Sequence, residues 1–120
     1  MKKKFRIKKT NEIDAIFKAK KRVQSKYFNI FYQPNKQDTF RFAISIGKKY
    51  GNAVARNLMK RHIRESIRFN KELIGSFDFV IVVRKESEKL DFHQIKKEIE
   101  KLLFKGKIME DNKWKKELEE

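Results

Sequence analysis

The chain has no cysteine, one proline, four glycines and two histidines among its 120 residues. Without cysteine, disulfides and thiolate metal centres are excluded as sources of stability or chemistry, and His62 with His93 alone cannot build a histidine cage. Such a chain suits a reducing, cytoplasmic compartment. Long hydrophobic runs are missing too. The longest unbroken apolar stretch is Phe79 to Val83, whereas a membrane span needs roughly 20 such residues. The opening segment, Met1 to Lys9, is charged like the first region of a signal peptide, but no apolar stretch follows it. It reads as a basic arm, and no membrane contact is expected.

Acidic residues are scarce where basic ones are dense. Residues 1–68 hold 13 Lys and 7 Arg against Glu12, Asp14, Asp38 and Glu65, a net charge of +16. Residues 69–120 balance 12 basic against 12 acidic residues, so the whole formal charge of +16 lies in the first part. A random scatter of lysine would spread the excess along the chain. This asymmetry instead predicts one binding face for a polyanion. With 39% hydrophobic residues and 11 Phe, the chain can bury one core, so it is a single domain over 1–120 and not a disordered chain.

Periodicity orders the elements. A helix is expected from Thr10 to Lys20, capped by Thr10 or Asn11, with Ile13, Ile16 and Phe17 as its apolar stripe. A strand over Tyr27 to Gln33 puts Phe28, Ile30 and Tyr32 on one face and Tyr27, Asn29 and Phe31 on the other. Pro34 to Asp38 reads as a hairpin turn into a second strand, Phe40 to Ile46. The loop Gly47 to Asn52 carries Lys48 and Lys49, and Asn52 caps a helix from Ala53 to about Lys71. Phe77 to Val83 suits a strand buried on both faces. A helix follows over Phe92 to Lys105, capped by Asp91 with Gln94 reaching back. Residues 107–120 read as a charged, mobile tail with Ile108, Met109, Trp114 and Leu118 as anchors. The order α-β-β-α-β-α, with a further short strand near residues 20–25, gives an α+β sandwich.

The long helix concentrates the charge. At about 100° per residue, Arg56, Lys60, Arg64 and Arg68 share one arc, widened by Asn57 and Arg61, while Ala55, Met59, Ile63 and Ile67 face the core. Five like charges in four turns repel one another, and Glu65 is the only acid among them. Phosphate is the natural counterion, since the planar arginine fork binds its oxygens bidentately. Two readings of this charge stay open, a basic ribosomal-type scaffold and a DNA-binding module.

Ser45 to Glu65, running Ser-Ile-Gly-Lys-Lys-Tyr-Gly-Asn-Ala-Val-Ala-Arg-Asn-Leu-Met-Lys-Arg-His-Ile-Arg-Glu, resembles the signature of the bacterial ribonuclease P protein subunit. The likeness extends from Arg6-Ile7-Lys8 through the Phe17 helix to the last helix. One departure stands out, because Leu58 occupies the second arginine position of the family's Arg-Asn-Arg run. The resemblance implies an α/β sandwich with a left-handed β-α-β crossover around the signature helix. It implies a protein that binds a large catalytic RNA and the 5′ leader of precursor tRNA, and so assists endonucleolytic removal of that leader. Mg²⁺ is then held mainly by the RNA, catalysis belongs to the RNA, and no obligate protein partner is expected. Arg56, Asn57, Lys60, Arg61, Arg64 and Arg68, with Lys48 and Lys49, would bind the catalytic RNA; Ile13, Phe17, Tyr27, Asn29 and Phe31 would line the leader cleft. The sparse acids agree, since a protein-borne two-metal nuclease needs several carboxylates gathered at its site.

Overall fold

The described residues, 3–110, of the computed structural model form α1 (Thr10–Lys18), β1 (Arg22–Gln24), β2 (Phe28–Pro34), β3 (Arg41–Ser45), α2 (Ala53–Phe69), β4 (Phe77–Val83) and α3 (Phe92–Lys105). Short 3₁₀ turns cover Lys3–Phe5, Lys48–Tyr50 and Lys85–Lys89. The strands make one mixed sheet in the order β1-β2-β4-β3. β2 and β4 are its inner strands, and β4 is antiparallel to β2 and parallel to β3.

That order corrects the expected hairpin. Pro34 to Asp38 does reverse the chain, but β2 and β3 are not neighbours, because β4 lies between them. Turn residues dictate a reversal of direction and leave the spacing of the strands open. The spacing is decided by burial: Phe79, Val80 and Ile81 are almost wholly excluded from solvent, which an edge position would not allow. The turn is fastened to the inserted strand, with Asn35 N donating to the Ser76 carbonyl at 3.0 Å and Asn35 Nδ2 donating to Asp78 Oδ1 at 2.8 Å.

Helices cover both faces of the sheet. α2 and α3 pack Met59, Ile63, Ile67, Ile95, Ile99 and Leu103 on the face carrying Phe28, Ile30, Phe42, Phe79 and Ile81. On the opposite face, α1 and the N-terminal segment bury Ile16 and Ile7 against Val80. Phe28, Phe40 and Phe42 are core residues, as their alternation requires. Each such buried side chain contributes about 1.5–3 kcal/mol.

Helix ends follow the expected chemistry except at α1. The Asn52 side chain accepts from Ala55 N at 2.9 Å, and Asp91 and Gln94 form a reciprocal capping box. At α1, Lys9 occupies the cap position without a side-chain bond and Thr10 is already helical, so neither Thr10 nor Asn11 caps it. The N-terminal segment also differs from a free arm. Phe5 is buried and stacks on Phe40 with ring centroids 4.8 Å apart, Arg6 pairs with Phe42 in parallel, and Ile7 N donates to the Phe42 carbonyl at 3.0 Å. It extends the sheet along the edge of β3. Ile108 and Met109 are buried at the other end, where Met109 bridges Ile74. Trp114 and Leu118 lie outside the described residues.

Candidate nucleic-acid interface

On α2 the buried stripe of Met59, Ile63 and Ile67 holds the helix to the sheet and turns the basic arc outward. Arg56, Lys60 and Arg64 are half-buried, with their stems against the protein, while Asn57, Arg61 and Arg68 are exposed. Among the described residues, Arg68 alone of the five cations is ion-paired, to Glu65 at 2.6 Å. Arg56, Lys60, Arg61 and Arg64 are left for an external anion. Leu58 stands half exposed on the solvent side of the same helix.

Lys48 and Lys49 project from the turn before α2. Its position is set by Lys85 Nζ, which donates to the Tyr50 carbonyl at 3.1 Å. Burial pushes the Tyr50 phenol pKa upward, and its hydrogen bond with Ser87 opposes that shift.

The second surface lies on the α1 face of the sheet. Phe17 meets Phe31 edge to face with centroids 4.9 Å apart, both rings half exposed, and Ile13 sits one turn before Phe17. The Arg22 guanidinium lies 5.9 Å from the Phe31 ring centre. Asn29, one cross-strand row away, has a buried Oδ1 without a donor among the described residues. Tyr27 does not join this face. It precedes β2, its N–H donates to Ser25 Oγ at 3.1 Å, and its ring packs against the core beneath α2 and α3. The turn at Ser25 breaks the period-two alternation that would have carried Tyr27 to the other side.

Between the two surfaces, at the edge of β3, runs an open groove of about 310 Å³. Lys60 and Arg64 from α2, Arg6 and Lys8 from the N-terminal segment, and Ile13 from α1 line it above a floor that includes Phe42, Ala43 and Ile44. Four cations and no acid face this space. Arg6 and Lys8 belong to the basic arm expected from the sequence, although the expected RNA-binding residues do not include them. Their signal was the alternation of apolar Phe5 and Ile7 with basic Arg6 and Lys8, the pattern of an edge strand with one charged side.

The ribonuclease P family model matches residues 1–107. The chain belongs to the ribonuclease P protein family. It is the protein subunit of this tRNA-processing ribonucleoprotein. It is 45% identical over 111 residues to the ribonuclease P protein component of Acholeplasma laidlawii, spanning 92% of this chain and 96% of that one. The solved RNase P protein of Staphylococcus aureus superposes with a TM-score of 0.84 at 34% identity, over 88% of this chain and 98% of that one. The RNase P protein of Thermotoga maritima gives 0.78 at 32% identity, over 83% and 96%.

Glu12 and Asp78 serve structure. Arg41 Nη2 donates to Glu12 Oε2 at 2.7 Å and to Asp78 Oδ2 at 2.7 Å. No group of three or more His, Asp or Glu among the described residues could hold a metal ion. His62 rests edge to face on Phe92 at 5.4 Å between centroids, and His93 is exposed. No helix of the described residues is long and apolar enough to cross a membrane.

Proposed function

We propose that this ribonuclease P protein binds the catalytic RNA through the basic face of α2 and the Lys48-Lys49 turn, and binds the 5′ leader of precursor tRNA in the cleft between α1 and the sheet. The observation that carries the reading is the groove at the β3 edge, lined by Lys60 and Arg64 from one surface and Ile13 from the other. It makes them one continuous track. Phosphates meet the unpaired cations and release condensed counterions, while unpaired leader bases stack on Phe17 and Phe31 without sequence preference.

In this reading the cleavage chemistry and Mg²⁺ belong to the RNA. Glu12 on α1 and Asp78 on β4 are already committed to Arg41. The protein contributes by holding the leader and neutralising phosphate repulsion, so that RNA and substrate come together with fewer metal ions. The cysteine-free chain works in the cytoplasm, with no protein partner required.

Cleavage of precursor tRNA by the catalytic RNA, measured at low Mg²⁺ with and without the protein, tests this directly. Acceleration on addition of the protein is expected. An unchanged rate would return the chain to the class of RNA-binding scaffolds.

A further inference from the structure

We infer that Arg41 is a positioning residue for the cleft: clamped to the sheet by Asp78, it grips Glu12 in the first turn of α1 and thereby sets where Phe17 stands relative to Phe31. This rests on the reading that the cleft holds the leader.

Apart from this grip, α1 is held by apolar packing. It is nine residues long, buries Ile16 alone, and begins without a side-chain cap. Ile16, with Ile13 and Phe17 half-buried beside it, seats the helix through apolar contacts, which are non-directional and do not by themselves specify its tilt. Arg41 supplies a second point of attachment, a turn away from Ile16 along the same side of the helix, since Glu12 and Ile16 are four residues apart. The guanidinium cannot follow a rocking helix. Its Nε donates to Asp78 Oδ1 at 3.1 Å and its Nη2 to Asp78 Oδ2 at 2.7 Å, so the fork is held by two bonds. Asp78 is itself nearly buried, with 7% of its side chain exposed, and takes a further bond from Asn35 Nδ2. The remaining reach of Nη2 is to Glu12 Oε2, also at 2.7 Å. A planar fork specifies direction as well as distance, which a lysine ammonium would not. Glu12 is one residue from Ile13 and five from Phe17, so a tilt of the first turn is felt by both cleft residues of α1.

The anchor and the grip are separable, which makes the role testable without unfolding the protein. Removing the Glu12 carboxylate leaves Arg41 paired with Asp78 and frees α1 alone. In the reconstituted holoenzyme, Glu12→Ala is expected to lower affinity for precursor tRNA by roughly fivefold or more, the size of one weakened base stack. Affinity for mature tRNA and for the catalytic RNA should stay unchanged. Glu12→Gln, which keeps an acceptor for Nη2, should retain most of the leader preference. In the protein itself, the nuclear Overhauser contact between the Phe17 and Phe31 rings should weaken in Glu12→Ala. If Glu12→Ala preserves the leader preference while Phe17→Ala abolishes it, the clamp is overturned. If neither variant changes the preference, the leader reading fails, and the ring contact decides the clamp separately: weakened, it stands; unchanged, it falls.

Discussion

Arg41 on β3 and Asp78 on β4 face each other in register and are joined by two side-chain hydrogen bonds, of 3.1 and 2.7 Å. The pair is the polar counterpart of the apolar contacts that hold β4 inside the sheet. It lies on the cleft face, one cross-strand row from Val80 and Ala43. Hydrogen bonding to Asp78 first, and to Glu12 second, raises the already high pKa of the Arg41 guanidinium, so its charge is constant wherever the protein is folded.

Loss of Asp78 should therefore be costly. Asp78→Ala leaves the Arg41 cation largely buried without its partner and removes an acceptor from Asn35, and a destabilisation of about 3–5 kcal/mol is expected. Asp78→Asn should lose less, because an amide oxygen still accepts from Nε. Urea midpoints of the two variants against the parent check this, and equal midpoints would mean that the pair contributes no net stability.

The basic face of α2 should be uneven in its response. Lys60→Ala and Arg64→Ala remove cations that have no ion-pair partner among the described residues and should each flatten the salt dependence of catalytic-RNA binding by about 0.7–0.9 in log–log slope. Arg68→Ala should do less, since Arg68 is already paired with Glu65. Binding titrations across a range of salt concentrations would reveal the difference. Identical slopes for all three variants would put the ion pair aside as irrelevant.

Phe31 on β2 and Tyr27 just before it make opposite predictions. Phe31→Ala should reduce affinity for precursor tRNA by about 1–3 kcal/mol and leave mature tRNA untouched. Tyr27→Ala should spare the leader preference and lower thermal stability instead, because its ring packs on the core side. A Tyr27→Ala protein that loses leader preference at unchanged stability would reverse this assignment.

Arg6 and Lys8 should matter to RNA binding although Phe5 and Ile7 hold the segment in place. Arg6→Gln with Lys8→Gln keeps the buried side chains and removes two of the four cations around the groove. Weaker holoenzyme assembly with an unaltered melting temperature is the expected outcome. A fall in melting temperature with intact assembly would confine these residues to packing.

Much of this molecule could be read locally. Phe77 to Val83 is apolar except for Asp78 and became one of the two inner strands with those bounds; Asp91 and Gln94 announced the start of α3; the four-residue spacing of Arg56, Lys60, Arg64 and Arg68 placed them on one arc. Each of these signals acts over a few residues, where propensity, capping and periodicity operate. The readings that failed were non-local or lay at element ends. The turn at Pro34 gave no sign that a distant strand would enter the gap, and the alternation of β2 did not survive the bend at Ser25.

From the sequence alone came a single basic domain, its core stripes, the family signature and the helix face that carries charge, because composition and short-range periodicity are properties of the chain itself. Tertiary structure decided which surfaces meet. It paired Arg6 and Ile7 with the edge of β3, brought Lys60, Arg64 and Ile13 around one groove, and closed Arg41 on both Asp78 and Glu12. The two contacts of Arg41 join residues 29 and 37 positions apart. They form only when burial of β4 sorts the strands, and no local pattern encodes that choice.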